Sequence, residues 1–248
     1  MSASCYINEF RPLAETSHGR TAITQYSLPP FVDASCRREP DLESEDPSIT
    51  ALCREGHFAP HLNDGDLVAY ITKVLTHPSR TERSRRLVAV LRVQRSWRSP
   101  HGRHGTAAHK QAAGWYQQQR LPLPCNCMVN GTKALKPEMT DKNEQDHRKW
   151  QAHYWRVARK HGVFHACDRI FCDLYDPPRF SNRQLFEWFG TIPNPRESSP
   201  LPQEAFAKML RWLAGQTSGV ASHRLKELGE PLLHPSFPSL PSVGSALP

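Results

Sequence analysis

No apolar run in this chain approaches the ~20 residues that a helix needs to cross a bilayer. The opening residues, Met1 to Phe10, lack the apolar core of a secretory signal, so a cytoplasmic, membrane-free protein is the expectation. The seven cysteines are an odd set. Without a secretion signal they argue against a disulfide framework. The common catalytic signatures are missing as well: there is no Gly-x-x-x-x-Gly-Lys-Ser/Thr, no Gly-x-Gly-x-x-Gly, no His-Glu-x-x-His and no Gly-x-Ser-x-Gly. Their absence removes the usual P-loop, dinucleotide-binding, zinc-protease and hydrolase readings. No internal repeat is present. Apolar residues make up only 38% of the chain, and 22 of its 248 residues are proline. The ordered core should therefore be shorter than the chain.

What is present centres on residues 58–95. Phe58-Ala59-Pro60 leads into Asn63-Asp64-Gly65-Asp66, followed by the apolar run Leu67 to Ile71 and, after a charged stretch, by Leu87 to Val93. Both runs are short, rich in Val, Leu and Ile, and bounded by turn residues, which predicts two strands. Residues 73–86, with Pro78 and Arg80, Arg83, Arg85 and Arg86, read as the long basic tip of a hairpin. Near-continuous apolar runs predict a sheet covered on both faces, as in a small barrel or a sheet flanked by helices.

Elsewhere Cys5 to Phe10 and Val163 to Leu174 read as strands, and Ser48 to Cys53 as a turn of helix capped by Ser48. Helices are predicted from Thr106 to about Gln119, from Asn143 to Lys160, after the capping residue Ser181, and from Pro202 to Ala214 with Phe206, Met209, Leu210 and Leu213 inward. Beyond Gly215 the periodicity fades. Residues 215–248 read as a flexible Pro/Ser-rich tail on a domain spanning 1–214, disordered over 230–248, which hold Pro231, Pro235, Pro238, Pro241 and Pro248.

The net charge of +8 is uneven. Residues 1–50 hold more acids than bases, whereas residues 80–110 hold Arg80, Arg83, Arg85, Arg86, Arg92, Arg95, Arg98, Arg103 and Lys110 against Glu82 alone. Such a concentration is the footprint of a phosphate-bearing partner, and a solvated hairpin tip is the alternative. Reading an exposed base requires polar groups for its edge and a plane to stack on. Asp33, Ser35, Arg37, Arg38, Glu39 and Asn126 offer the first, and Phe31, Trp97, Trp115 and Tyr116 the second. Metal binding fits less well. Cys125 and Cys127 would share a strand face, whereas Cys167 and Cys172 would point to opposite faces, so the pairs make no tetrahedral set. Neither a metal nor a cofactor is expected.

As a set, Cys36-Arg37-Arg38-Glu39-Pro40, Phe58-Ala59-Pro60 with Gly65-Asp66, Asn126-Cys127-Met128-Val129 and Phe189-Gly190-Thr191-Ile192-Pro193 resemble the nucleotide-modification-associated domains of bacteria and phages. The order of strand, basic hairpin, strand and helix resembles the wider PUA-like superfamily with its ASCH and EVE domains. The resemblance spans about residues 5–212. It implies an α+β fold, a small mixed β-barrel with flanking helices to which this chain adds C-terminal helices, and binding of RNA or of modified DNA bases in a cleft beside the barrel. From the residue types and the localised charge, Arg37, Arg38, Glu39 and Asn126 are expected to line a base pocket, and Arg80, Arg83, Arg85 and Arg86 to hold phosphates. The partner would be DNA or RNA within a modification or defence system. Two rival readings stand beside it. One is an enzyme acting on a nucleotide or base, with Cys36 as nucleophile or Asp33 and Glu39 as acid–base groups. The other is an adaptor that uses the Pro-rich tail.

Overall fold

A computed structural model describes residues 3–34, 40–43, 46–51, 58–78, 81–98, 163–194 and 199–233. The fold is mixed α+β, built on a curled, half-barrel sheet with a few helices. The strands are β1 (Cys5–Glu9), β2 (Ser48–Thr50), β3 (Leu67–Ile71), β4 (Leu75–Thr76), β5 (Arg83–Arg98), β6 (Val163–Cys172) and β7 (Arg179–Phe180). The main sheet runs in the order β1-β3-β5-β6-β2, and β4 and β7 pair with the outer part of β5. Only β1 lies parallel to its neighbour; the other pairs are antiparallel.

The predicted hairpin is present as β3 and β5, but its ladder runs further than the apolar pattern suggests. Arg83 to Arg86 belong to β5, where they pair with β4 and β7, and the tip shrinks to residues 77–82. The register slips opposite Tyr70/Ile71 and again at Val90/Leu91 and Val93/Arg95. Each slip inserts an unpaired residue that bends and twists the strand, and together they curl the sheet.

Alternation along the strands divides two cores. One face presents Ile7, Leu67, Ala69, Ile71, Leu87, Val90 and Ile170 to three helices: α2 (Asn182–Phe189), α3 (Gln203–Gln216) and α4 (Gly219–Leu233). The predicted inward residues of α3, Phe206, Met209, Leu210 and Leu213, are all fully buried there. Ser181 closes a capping box with Gln184 at the start of α2. Trp188, Phe189, Trp212 and Phe180 pack as an aromatic cluster where α2 meets α3. The opposite face presents Tyr6, Val68, Tyr70, Val88, Leu91 and Val93 to Phe10, Phe31, Leu42, Ile49, Phe58 and Leu62.

Three expectations are corrected and one helix is added. Ser48–Thr50 is a strand paired with β6, because β-branched Ile49 and Thr50 complete an otherwise open edge. Residues 219–233 are helix rather than tail: Leu225 is fully buried in the α2–α4 core, and Arg224 is bonded to β6. A further helix that periodicity does not announce, α1 (Ser17–Tyr26), is started by the Thr16 hydroxyl, which accepts from the Gly19 amide at 2.8 Å. A Cβ at Gly19 would collide with the Leu13 carbonyl at 2.1 Å. Finally, Cys167 and Cys172 lie toward the same core, because the slip near Val90/Leu91 adds a residue between them. The helices predicted at 106–119 and 143–160 lie outside the described residues.

Candidate functional site

The Gly65-Asp66 pair is an architectural device. Gly65 sits at φ +95°, a conformation L side chains rarely adopt. The Asp66 carboxylate accepts from the Ser4 amide at 2.7 Å and the Asn63 amide at 2.8 Å, tying the approach to β1 onto the start of β3. Burial raises the Asp66 pKa against the effect of those two bonds.

Strand β5 carries six arginines and no acidic residue, and its two ends use them differently. At the first end, Arg85 gives Nη1 to Glu9 at 2.8 Å and to the Thr72 carbonyl at 2.9 Å, and Nε to Asn182 at 2.6 Å. Arg86 is only 1% exposed. Its Nη1 meets Asp176 and the Pro177 carbonyl, each at 2.8 Å, and its guanidinium carbon lies 5.9 Å from the centroid of the Phe31 ring. Arg86 is thus a core residue, which corrects the expectation that it holds a phosphate, and Arg85 is bound within the fold. Arg83 is exposed. Arg37, Arg38, Glu39, Arg80 and Asn126 lie outside the described residues, as do Cys36, Trp115 and Tyr116. Asp33 is buried and its backbone bridges to Pro12. Phe31 is fully buried and stacked with His77 at 5.7 Å, so it is not a plane open to a base.

At the second end of β5, Arg92, Arg95 and Arg98 come from the basic stretch without individual roles, and Trp97, expected as a plane open to a base, is buried. Arg92 and Arg224 both bond Asp168, Arg92 at 2.9 Å. Arg224 also gives Nη1 to the Arg169 carbonyl at 2.9 Å. The exposed Arg95 lies over the Trp97 ring, 5.0 Å from its centroid. Arg98, on the opposite face, bonds the carbonyls of Pro60 and Leu62. The bulge at Val93/Arg95 brings Arg92, Arg95 and Trp97 onto one face and leaves Ser96 and Arg98 on the other.

Behind Ser96 runs a chain of polar contacts. Ser96 Oγ is 2.9 Å from Asp64 Oδ1 and 2.8 Å from His165 Nδ1, and His165 Nε2 is 2.7 Å from the Ala59 carbonyl. A carbonyl offers no proton, so Nε2 carries the hydrogen, and the single Ser96 hydroxyl proton is shared between two acceptors, Asp64 Oδ1 and His165 Nδ1. Burial pushes the His165 pKa down to about 4, which makes the ring a weak base. The Asp64 carboxylate beside the hydroxyl opposes build-up of negative charge there. This is a structural tether between β5, β6 and the 58–66 segment, not a nucleophile–base pair.

Two of the described thiols, Cys5 and Cys172, are poor nucleophiles. Burial pushes the Cys172 pKa up to about 12 and raises that of Cys5. Among the described residues no group of three or more His, Cys, Asp or Glu side chains is arranged to hold a metal ion. No helix among them is long and apolar enough to cross a membrane. The chain matches no protein-family model, no curated protein and no solved structure.

Proposed function

We propose that this chain is a nucleic-acid-binding protein of PUA-like build that recognises a base, modified or not, in DNA or RNA. The observation that carries the reading is the exposed charge of β5: Arg83, Arg95 and Arg98 are exposed on a strand that holds no acidic residue. Phosphate contacts supply such a surface with sequence-independent affinity. The curled sheet with both faces covered supports the PUA-like part of the reading, and the motif resemblance supports a role in a modification or defence system.

The test is a salt titration of binding to short single-stranded and duplex oligonucleotides, with and without modified bases. The expected result is a linear fall of log K with log salt, a smaller slope once Arg83 and Arg98 are replaced by alanine, and tighter binding to one modified base. No binding to any oligonucleotide at ~50 mM salt would refute the reading, since electrostatic contacts are strongest there.

A further inference from the structure

The geometry points to a single-strand site on the Arg92/Arg95/Trp97 face of β5, in which a base stacks on the Arg95 guanidinium and a neighbouring phosphate is held by Arg92 and Arg224. The inference rests on the nucleic-acid reading above and narrows it to unpaired nucleotides.

Three observations converge. First, Arg95 lies over the Trp97 indole at 5.0 Å, and Trp97 is itself 8% exposed and packed edge-on against Phe164 at 5.9 Å. The indole lies beneath the guanidinium, and Arg95 is exposed to solvent. Unpaired bases stack on arginine planes as they do on aromatic rings, whereas duplex bases are already stacked on one another.

Second, Arg92 and Arg224 converge on one carboxylate, Asp168. Two cations on one anion leave a net positive charge, and each arginine side chain keeps about a third of its surface exposed, 34% and 33%. Asp168 acts as a hinge pin: it fixes both guanidinium groups and leaves donors for a phosphate oxygen.

Third, the bulge between Val93 and Arg95 makes Arg92 and Arg95 consecutive on one face, two strand steps or ~7 Å apart. A stacking plane and an anion clamp are therefore held side by side on a rigid strand. Ser96 and Arg98 contribute to the other face, and the carboxylate of Asp64 lies with them.

The experiment uses the full chain and fluorescently labelled oligonucleotides of ~12 nucleotides: single-stranded RNA, single-stranded DNA and the matching duplex, with heparin as a competitor that has charge but no bases. Arg95→Lys keeps the charge and removes the plane. It is expected to weaken single-strand binding about tenfold or more, on the scale of one lost base stack, with the salt slope unchanged. Arg92→Gln is expected to lower the salt slope by about 0.7, the share of one phosphate on a single strand, while Arg224 keeps Asp168 paired. Arg183→Gln, on the exposed side of α2, serves as the control and should change neither. Thermal unfolding of each variant shows that it is folded.

If Arg95→Lys binds single strands as tightly as the wild type, the stacking site is overturned and the nucleic-acid reading survives. If duplex and single strand bind equally with equal slopes, the restriction to unpaired nucleotides is overturned. If the wild type binds nothing at low salt, both readings fail. A preference between the RNA and DNA strands identifies which source supplies the ligand.

Discussion

The two ends of β5 carry the same side chain and put it to opposite uses. At the first end Arg85 and Arg86 turn inward, onto Glu9, Asp176, Asn182 and backbone carbonyls, and Arg83 alone is exposed. Near Arg92–Arg98 they reach the rim: Arg95 lies over an indole, Arg92 shares the Asp168 carboxylate with Arg224 of α4, and Arg98 bonds carbonyls. The difference arises from what each end meets. The first end is enclosed by β4, β7 and the aspartate-bearing loop after β6. At the second end the register slips, β3 no longer pairs beyond Arg92, and the side chains reach the rim. A count of arginines therefore says little about function until each charge has been traced to its partner.

The largest effect that would sharpen this contrast is at Arg86. Replacing it with Met should destabilise the fold by about 3–4 kcal/mol, through loss of two charge-assisted bonds and of packing against Phe31. Asp176 is half exposed and regains water, so the loss stays below that for a fully buried pair. Urea unfolding measures it, and a loss under 1 kcal/mol would mean that Arg86 is not part of the core.

Next comes His165. The folded ring remains neutral down to about pH 4, whereas in the unfolded chain it takes up a proton below about 6.5. Between those values the unfolded state binds more protons, so stability falls as the pH falls, by up to about 3 kcal/mol across the window. His165→Gln should flatten that part of the stability–pH curve. An unchanged slope would place the acid sensitivity elsewhere.

Leu225→Ala tests whether α4 belongs to the folded unit. Loss of a fully buried leucine should cost about 2–3 kcal/mol, and a cost near zero would return residues 219–233 to a dispensable tail. Smallest of all, Arg95→Ala should change stability by less than about 0.5 kcal/mol, because its guanidinium is exposed and has a ring as its contact. A large loss there would erase the distinction between the two ends.

Much of the architecture was legible from local pattern. The turn at Asn63–Asp66, the strands on either side of the hairpin, β6 with its stop at Asp176-Pro177-Pro178, the Ser181 cap and the inward face of α3 all follow from residue type and period. Two kinds of element escaped. Ser48–Thr50 is too short to show alternation and becomes a strand only because β6 offers an edge. In α1 and α4 the apolar stripe is sparse, and their helicity is supported by a cap at Thr16 and by Arg224 anchored on β6.

The candidate site divides in the same way. Sequence by itself determined that positive charge gathers between residues 80 and 98 and that apolar runs would bury both faces of a sheet, since composition and periodicity are local properties. Which arginines face solvent was decided by tertiary structure alone. That choice depends on bulges that reset the alternation and on carboxylates, Glu9, Asp176 and Asp168, that lie 76 or more residues away in the chain. Desolvation compels the enclosed charges to find partners, whereas those at the rim keep contact with water.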